Sequence, residues 1–505
     1  MHLLYLKDLI PVGYEALINL YALNVIPHFR RSYVTLKGSS KVIYEYHIEI
    51  HIYPKAYLPK DPDNAFLQLE FAFKYDGINL EILSALFKKI EVTLITDFIR
   101  SQPTGKNTRR LWYLYEFLTG KALEIEDAQG GSYVLLLDED KYYTGSTIRS
   151  RRHYVDDNLL GNQEFCPIVR KTDLLKHYEA LHLENIARDL IQQYDPLVLA
   201  RAINYLYAKE TMSSYEIERE RPDKKRLTKF IELLKEAKFL TTLTKQSLID
   251  LQNNIVDSRF ADNDYRNYQN YIGEQRDWYR QTLHYIPPKP EDVSGLMQGL
   301  LDCFERMLHS SLNPIVIAAV VAFGFVFIHP FEDGNGRIHR FLIHYILSRL
   351  KYTPIDVIFP ISATILKNMQ EYDDVLESFS KPLLDLLKQY EFDEKGKLTV
   401  YGNNRSYYAY VDYTRMVEFL FACVEKTIKT DFQDELNYIV NYDRAKRAIQ
   451  EIVDLPDRKI NQFILFVSQN QGRLSLKKKE QYFDMLTDDE IKRMEEAVQE
   501  WINGS

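Results

Sequence analysis

The chain has 505 residues, 46% hydrophobic and 27% charged, a globular mixture long enough for about three domains and unlike a disordered segment. Its 64 basic and 72 acidic side chains leave a net charge of −8, which excludes a chain-wide basic footprint for nucleic acid. The three cysteines, Cys166, Cys303 and Cys423, are too few and too scattered for a disulfide framework or a paired zinc site, which points to a reducing compartment.

Residues 1–150 read as an α/β domain. The opening stretch carries Asp8 and Glu15 inside its apolar run and lacks a small-residue cleavage site, so it does not read as a signal peptide. Val42 to Tyr53 alternates strictly, with Val42, Tyr44, Tyr46, Ile48, Ile50 and Ile52 on one face, and predicts one half-buried strand. On such a strand His47 and His51 lie about 13 Å apart, so Glu45, His47, Glu49 and His51 do not share an ion. Asn79 to Phe98 and Leu111 to Leu118 read as helices, and a further strand starts at Tyr133. Residues 151–197 read as a linker and a helix, opened by a basic hinge, Ile148 to Asn162. From Lys171 the pattern is helical almost throughout, interrupted at Tyr265 to Pro290 by Gly273 and the run Pro287-Pro288-Lys289-Pro290. The longest apolar run, Pro314 to Ile328, is too short to span a bilayer and predicts a buried core helix. A soluble cytoplasmic protein without a membrane partner is expected. Lys395 to Ser406 reads as a loop, and 393–505 as a small helical domain. Within it Lys477, Lys478 and Lys479 sit between two helical stretches, faintly like a winged-helix unit. A plain helical domain with one basic turn is favoured there over a nucleic-acid contact.

The chemistry is concentrated in HPFEDGNGRIHR, His329 to Arg340. Gly334-Asn335-Gly336 can turn successive N–H groups inward as an anion nest, and the helix that follows points its positive end at the same spot. Arg337 and Arg340, three apart, share a helix face beside that nest. Asp333 is a hard oxygen ligand suited to Mg²⁺ with phosphate oxygens, and His329 is of the one side-chain type that can titrate near neutral pH. A base, a metal ligand and a phosphate clamp are what nucleotidyl transfer requires. His339 and His344, five apart, lack the HExxH geometry of a zinc site.

This stretch resembles the signature of the Fic (filamentation induced by cAMP) family, HPFx[DE]GNGRxxR, at every defining position. The resemblance extends over about 198–392. It implies a mainly α fold: a helical core with a β-hairpin flap, preceded by the α/β domain and followed by the helical one. It also implies transfer of AMP from ATP to a Ser, Thr or Tyr hydroxyl of a target protein, which includes the chain itself. In that case His329 is the base and Asp333 holds Mg²⁺. Gly334, Asn335, Gly336 and Arg337 cradle the α- and β-phosphates, and Arg340 orients the γ-phosphate. The family's flap falls on Tyr271-Ile272-Gly273 and His284-Tyr285-Ile286, where a target segment adds as a strand. Many members carry an inhibitory helix, [ST]xxxE[GN]. Ser214 and Glu218 have that spacing, with Ile217 before the glutamate. Arg219 departs from the pattern at the Gly/Asn place, and Thr414…Glu418 repeats the spacing alone. Two alternatives stay open: removal of AMP or transfer of another phosphate-linked group on the same site, and a non-catalytic nucleotide sensor that binds DNA or protein. The target and the oligomeric state are not readable.

Overall fold

In the computed structural model, residues 9–240, 242–277, 280–394 and 396–503 are described. Residues 1–8, with Asp8, and Lys395 lie outside them. The chain is mainly α and sorts into two compact units, each discontinuous in sequence. The first comprises residues 1–181, 222–350 and 368–421, and the second 182–221, 351–367 and 422–505.

The first unit opens with a four-stranded sheet of β1 (Leu9–Val12), β2 (Arg30–Thr35), β3 (Lys41–Glu45) and β4 (Ile48–Pro54), in the order β1-β2-β4-β3. β2 and β4 are parallel, with Arg30 opposite Glu49; the other two pairings are antiparallel. The single strand expected over Val42 to Tyr53 is thus a hairpin. Tyr46 takes a left-handed conformation (φ 54°), which turns the chain, and the resulting edge strand leaves Tyr44 and Tyr46 exposed. Alternation alone does not register a turn in its midst. The helix expected over Asn79 to Phe98 is two, Leu80–Phe87 and Val92–Ser101, and Lys106–Thr119 follows. Residues 395–406, expected as a loop, include a strand, Leu398–Val400, paired with Tyr390–Phe392.

The basic hinge is not a hinge. Strands Ile148–Ser150 and Val155–Asp157 pair within it, and its cations are spent locally. Arg149 pairs with Asp156 at 2.8 Å, and Arg152 with Glu116 at 3.0 Å and Asp127 at 2.8 Å. The chain then runs buried through Leu159, Leu160, Phe165 and Cys166, with Cys166 N–H donating to the Ala409 carbonyl and Arg306 to the Gly161 carbonyl. Residues 151–181 therefore group with the first unit, and most of 153–169 is buried, where a linker was expected.

The functional part of this unit is a stack of helices, Lys245–Ile255, Pro290–Leu308, Pro314–Ile328, Asn335–Arg349 and Met369–Leu386. Pro290 and Pro314 start their helices, where the missing N–H costs nothing. Asn313 caps the second by accepting from Ile315 N–H at 3.0 Å. Every residue from Ile315 to Phe325 is buried, as the apolar run predicts.

The second unit is helical among its described residues. Its C-terminal core gathers Ile449, Ile460, Phe463, Val467, Phe483 and Met494. Lys477–Lys479 fall on the short helix Leu476–Tyr482; Lys478 lies 4.3 Å from the Phe466 ring centre and Lys479 pairs with Asp488. The helix Pro196–Ile217 is capped by Asp195, which accepts from Leu197 N–H at 2.9 Å, and buried Glu210 accepts from Ser362 N–H at 2.8 Å. Among the described residues, no helix is long and apolar enough to cross a membrane.

Candidate nucleotidyl-transfer site

The site begins where the helix Pro314–Ile328 stops. His329 caps it in the left-handed region, φ 51° and ψ 60°, which throws the chain off the helix axis. A helix end leaves its last carbonyls without partners, and here side chains supply them. His329 Nδ1 lies 3.3 Å from the Val326 carbonyl, and the Tyr285 hydroxyl donates to the Phe327 carbonyl. The Arg266 guanidinium takes the rest: Nε donates to the His329 carbonyl at 2.9 Å and Nη2 reaches the Ile328 carbonyl at 3.5 Å. Donation from Nδ1 leaves the lone pair of the imidazole on Nε2, the arrangement a general base needs.

Next comes a short loop pinned at both ends. Phe331 is fully buried, 5.6 Å from the Tyr265 ring and 6.2 Å from that of Phe325. The buried Asn335 side chain brackets the loop, accepting from Phe331 N–H at 3.1 Å and donating to the Phe331 carbonyl at 2.8 Å. Contact between Asn335 and a ligand therefore falls to its backbone N–H. Gly334 (φ 89°) caps the helix Asn335–Arg349, and a Cβ there would meet Val256 Cγ1 at 2.8 Å. That helix's first turn presents the N–H groups of Asn335, Gly336 and Arg337, three donors with no partner inside the helix.

Asp333 Oδ1 accepts from Gly334 N–H at 2.6 Å and from Arg337 at 2.5 Å. The Asp333 side chain is one-third exposed and that of Arg337 almost wholly buried. One solvent-reaching carboxylate beside a phosphate nest fits Mg²⁺, which takes one or two carboxylates and completes its shell with phosphate and water. Arg340 is 1% exposed, on the same helix. His339 and His344 are both buried, His339 with its ring 4.7 Å from that of Phe323.

Three residues that the sequence reading passed over hold this loop. Arg266, 5% exposed, also donates to the carbonyls of Tyr268 (2.9 Å) and Pro288 (2.5 Å), and its own N–H to Pro330 (2.8 Å). Its guanidinium bonds only carbonyls, and burial lowers its pKa to about 10. Gln252, fully buried, donates to the carbonyls of Phe260 (2.8 Å) and Asp333 (3.3 Å) and accepts from Asp262 N–H (3.1 Å). Asp262 accepts from Glu332 N–H at 3.3 Å; burial, then the charges of Glu332 and Asp333, raise its pKa. No local pattern marks these residues, because their partners are main-chain atoms up to 81 residues away.

The hairpin stands where expected, with longer strands, Ile272–Asp277 and Arg280–Tyr285. Ile272 pairs with Tyr285 and Gly273 with Leu283. A Cβ on Gly273 would meet the Thr282 carbonyl at 2.5 Å. Ile272, Gly273 and His284 are exposed, whereas Tyr285 and Ile286 are buried and anchor the base; the Tyr408 hydroxyl donates to the Ile286 carbonyl at 2.7 Å. The Tyr271 ring lies edge-on to Phe392 at 5.3 Å. Gln269 donates to the Pro287 carbonyl (2.9 Å) across the hairpin's base, and Asn270 to the Phe331 carbonyl (3.4 Å) joins the hairpin to the motif loop.

In the second unit, the helix carrying Ser214 ends at Ile217. Ser214 is buried, Glu218 is exposed, and Arg219 takes φ 57°. Glu220 N–H donates to the Tyr215 carbonyl at 3.0 Å and Arg219 N–H to that of Glu216 at 2.9 Å, a Schellman-type end. The left-handed turn that favours Gly or Asn is thus made by an arginine. The other serine/threonine–glutamate pair is committed elsewhere in the first unit. The Thr414 hydroxyl accepts from Arg170 N–H at 2.9 Å, and Glu418 accepts from the Thr172 hydroxyl at 2.6 Å.

Residues 242–347 match the model of the Fic/DOC family. The chain carries a Fic domain. Its curated relatives include proteins called "Protein adenylyltransferase Fic". That of Drosophila willistoni is 42% identical over 71 residues and that of Drosophila melanogaster 44% over 75, each match covering 14% of this chain and 14% of the relative. The likeness thus spans about a seventh of those proteins' length. Among solved structures, a Fic family protein from Desulfovibrio desulfuricans is similar at TM-score 0.37 and 17% identity, over 65% of this chain and 85% of that one. A Fic domain containing signaling protein from Bacteroides thetaiotaomicron gives TM-score 0.36 and 19%, over 50% and 95%.

Proposed function

We propose that the protein is a cytoplasmic adenylyltransferase that moves AMP from Mg-ATP to a Ser, Thr or Tyr hydroxyl of a protein target, itself included, and that Glu218 restrains it. The observation that supports this is the Fic loop, with His329 held at a helix end next to an open helix N-terminus, Asp333 and Arg337. In this reading the α- and β-phosphates rest on the N–H groups of Asn335, Gly336 and Arg337, and Arg340 meets the γ-phosphate. His329 takes the target hydroxyl's proton at Nε2. The hydroxyl oxygen bonds to the α-phosphorus, the α–β anhydride bond breaks, and pyrophosphate leaves. Asp333 holds Mg²⁺, which when bound offsets the charge on the departing pyrophosphate. The exposed edge at Ile272 and Gly273 takes a strand of the target. Glu218 competes with the γ-phosphate for Arg340.

The test uses ATP labelled at the α- or the γ-phosphorus. Label on protein from the α position alone identifies AMP transfer. Label from the γ position, or AMP released from a modified protein with no transfer, refutes it. Glu218→Gly should raise transfer, self-modification included, and the double variant Glu218→Gly, His329→Ala should abolish it. A flat response to Glu218→Gly removes the brake from the reading.

A further inference from the structure

The first unit holds a cavity of about 650 Å³ far along the sequence from the motif, between the sheet, the helix Lys106–Thr119 and the helix Asp173–Ala180. That volume suits a small organic ligand. One wall is aromatic, with Phe29, Tyr75 and Tyr142. Eight lysines and arginines line the cavity against five aspartates and glutamates, a surplus of three positive charges.

Pairing removes some of these charges and leaves others. Arg30 is neutralised by Glu49 at 2.7 Å, and Arg170 by Asp412 at 2.9 Å while it lies 3.7 Å over the Phe29 ring. Arg110 is different. It is 8% exposed, and its Nε and Nη2 both donate to one acceptor, the Leu135 carbonyl, at 2.9 and 2.8 Å. Its Nη1 has no hydrogen-bond partner among the described residues, and no carboxylate there forms an ion pair with it, although Asp138 on the same wall acts on it electrostatically. A buried guanidinium normally has a counter-ion, because an uncompensated buried charge is costly. Lys74 and Lys106, both exposed on the rim, also lack a carboxylate partner among the described residues. Two helix N-termini meet the same space, at Lys106 and Asn107 and at Thr172 and Asp173, and each adds a partial positive charge.

We propose that this cavity binds a small phosphorylated molecule with an aromatic or apolar body, its phosphate on Arg110, Lys74, Lys106 and the N-terminus of Lys106–Thr119 and its body against Phe29 and Tyr75. A dianionic phosphate answers the charge surplus better than a single carboxylate does, and the guanidinium fork suits its oxygens.

Isothermal titration of the full chain with phenyl phosphate, inorganic phosphate, benzoate and phenol tests this. Phenyl phosphate should bind more tightly than inorganic phosphate or benzoate, and phenol should not bind. Affinity should fall at least about tenfold in Arg110→Met and in the double variant Lys74→Ala, Lys106→Ala. It should be unchanged in Arg337→Ala, which separates this cavity from the Fic loop. The lysine pair is exposed, so that variant decides the matter if Arg110→Met does not fold. The proposal fails if wild type binds neither phosphate at millimolar concentration, or if benzoate matches phenyl phosphate. It also fails if binding survives in the lysine variant and disappears in Arg337→Ala.

Discussion

Arg266 is the residue whose replacement is most informative. Arg266→Met keeps the length of the side chain and removes every donor. The carbonyls of His329, Tyr268 and Pro288 then lose partners now at 2.9, 2.9 and 2.5 Å. At roughly 1 kcal/mol per lost hydrogen bond the gross cost is about 3 kcal/mol. Removing a guanidinium that sits 5% exposed returns part of this, so the net loss is on the order of 1–3 kcal/mol and a few degrees of melting temperature. The larger effect is on geometry. The His329 turn relaxes, and a displacement of about 1 Å in a reacting group costs on the order of 10²-fold in rate. Initial rates of AMP transfer from α-labelled ATP, with ATP binding followed by calorimetry, should therefore show kcat down by about that factor and ATP affinity nearly unchanged. Arg266→Lys, which restores a charge and some donors without the planar fork, should recover part of the rate. If Arg266→Met transfers AMP within about twofold of wild type, the guanidinium does not set the position of His329.

Four further outcomes are expected. His329→Ala should lose about 10²–10⁴-fold in transfer, measured with α-labelled ATP, while ATP binding by calorimetry persists. Asp333→Ala should lose both transfer and its dependence on Mg²⁺; unchanged turnover across a Mg²⁺ titration would count against the ligand assignment. Asp76, buried and raised to about 7 by that burial, binds its proton more tightly folded than unfolded, so its contribution is present at low pH and lost as pH rises through 7. Denaturant unfolding should thus show this contribution falling as pH rises from 3.8, the ordinary value, to about 7, by at most about 1.4 kcal/mol per pH unit, and levelling off above that; Asp76→Asn should flatten the slope. Arg219→Gly should relieve the left-handed strain and stabilise the end of its helix by about 1 kcal/mol, read as a higher denaturation midpoint.

What could be read in the sequence follows from how local its cause is. The helix Pro314–Ile328 is marked by Asn313, Pro314 and an unbroken apolar run, all within its own span, and it forms as expected. The loop residues carry their chemistry in one contiguous motif, in which Asp333 pairs with Arg337 and His329 ends the preceding helix. The β3–β4 turn was not legible, because Tyr46 adopts a backbone conformation that alternating side chains do not announce. The basic stretch Ile148 to Asn162 read as a hinge because the partners of Arg152, Glu116 and Asp127, lie 25 to 36 residues upstream. Arg266, Gln252 and Arg110 were invisible for the same reason in stronger form, since carbonyls have no sequence signature at all.

His329 at φ 51° and Arg219 at φ 57° each make a left-handed turn at a helix end, as Ala22 does at φ 45°. The usual solution, glycine, would cost less at both. At His329 a glycine would end the helix equally well but remove the imidazole that the proposed reaction uses, and the fold absorbs the strain of roughly 1 kcal/mol. It does so with Arg266, Tyr285 and the His329 ring itself, which together occupy the carbonyls of residues 326 to 329. The hairpin supplies two of those three side chains' segments, Arg266 at its approach and Tyr285 at its last strand position. The hairpin and the His329 turn are therefore one hydrogen-bonded construction. A perturbation that loosens the hairpin's base should be felt at His329 before it is felt in the helix core, and, in the proposed reaction, a target strand that stiffens the hairpin should tighten the turn that holds His329.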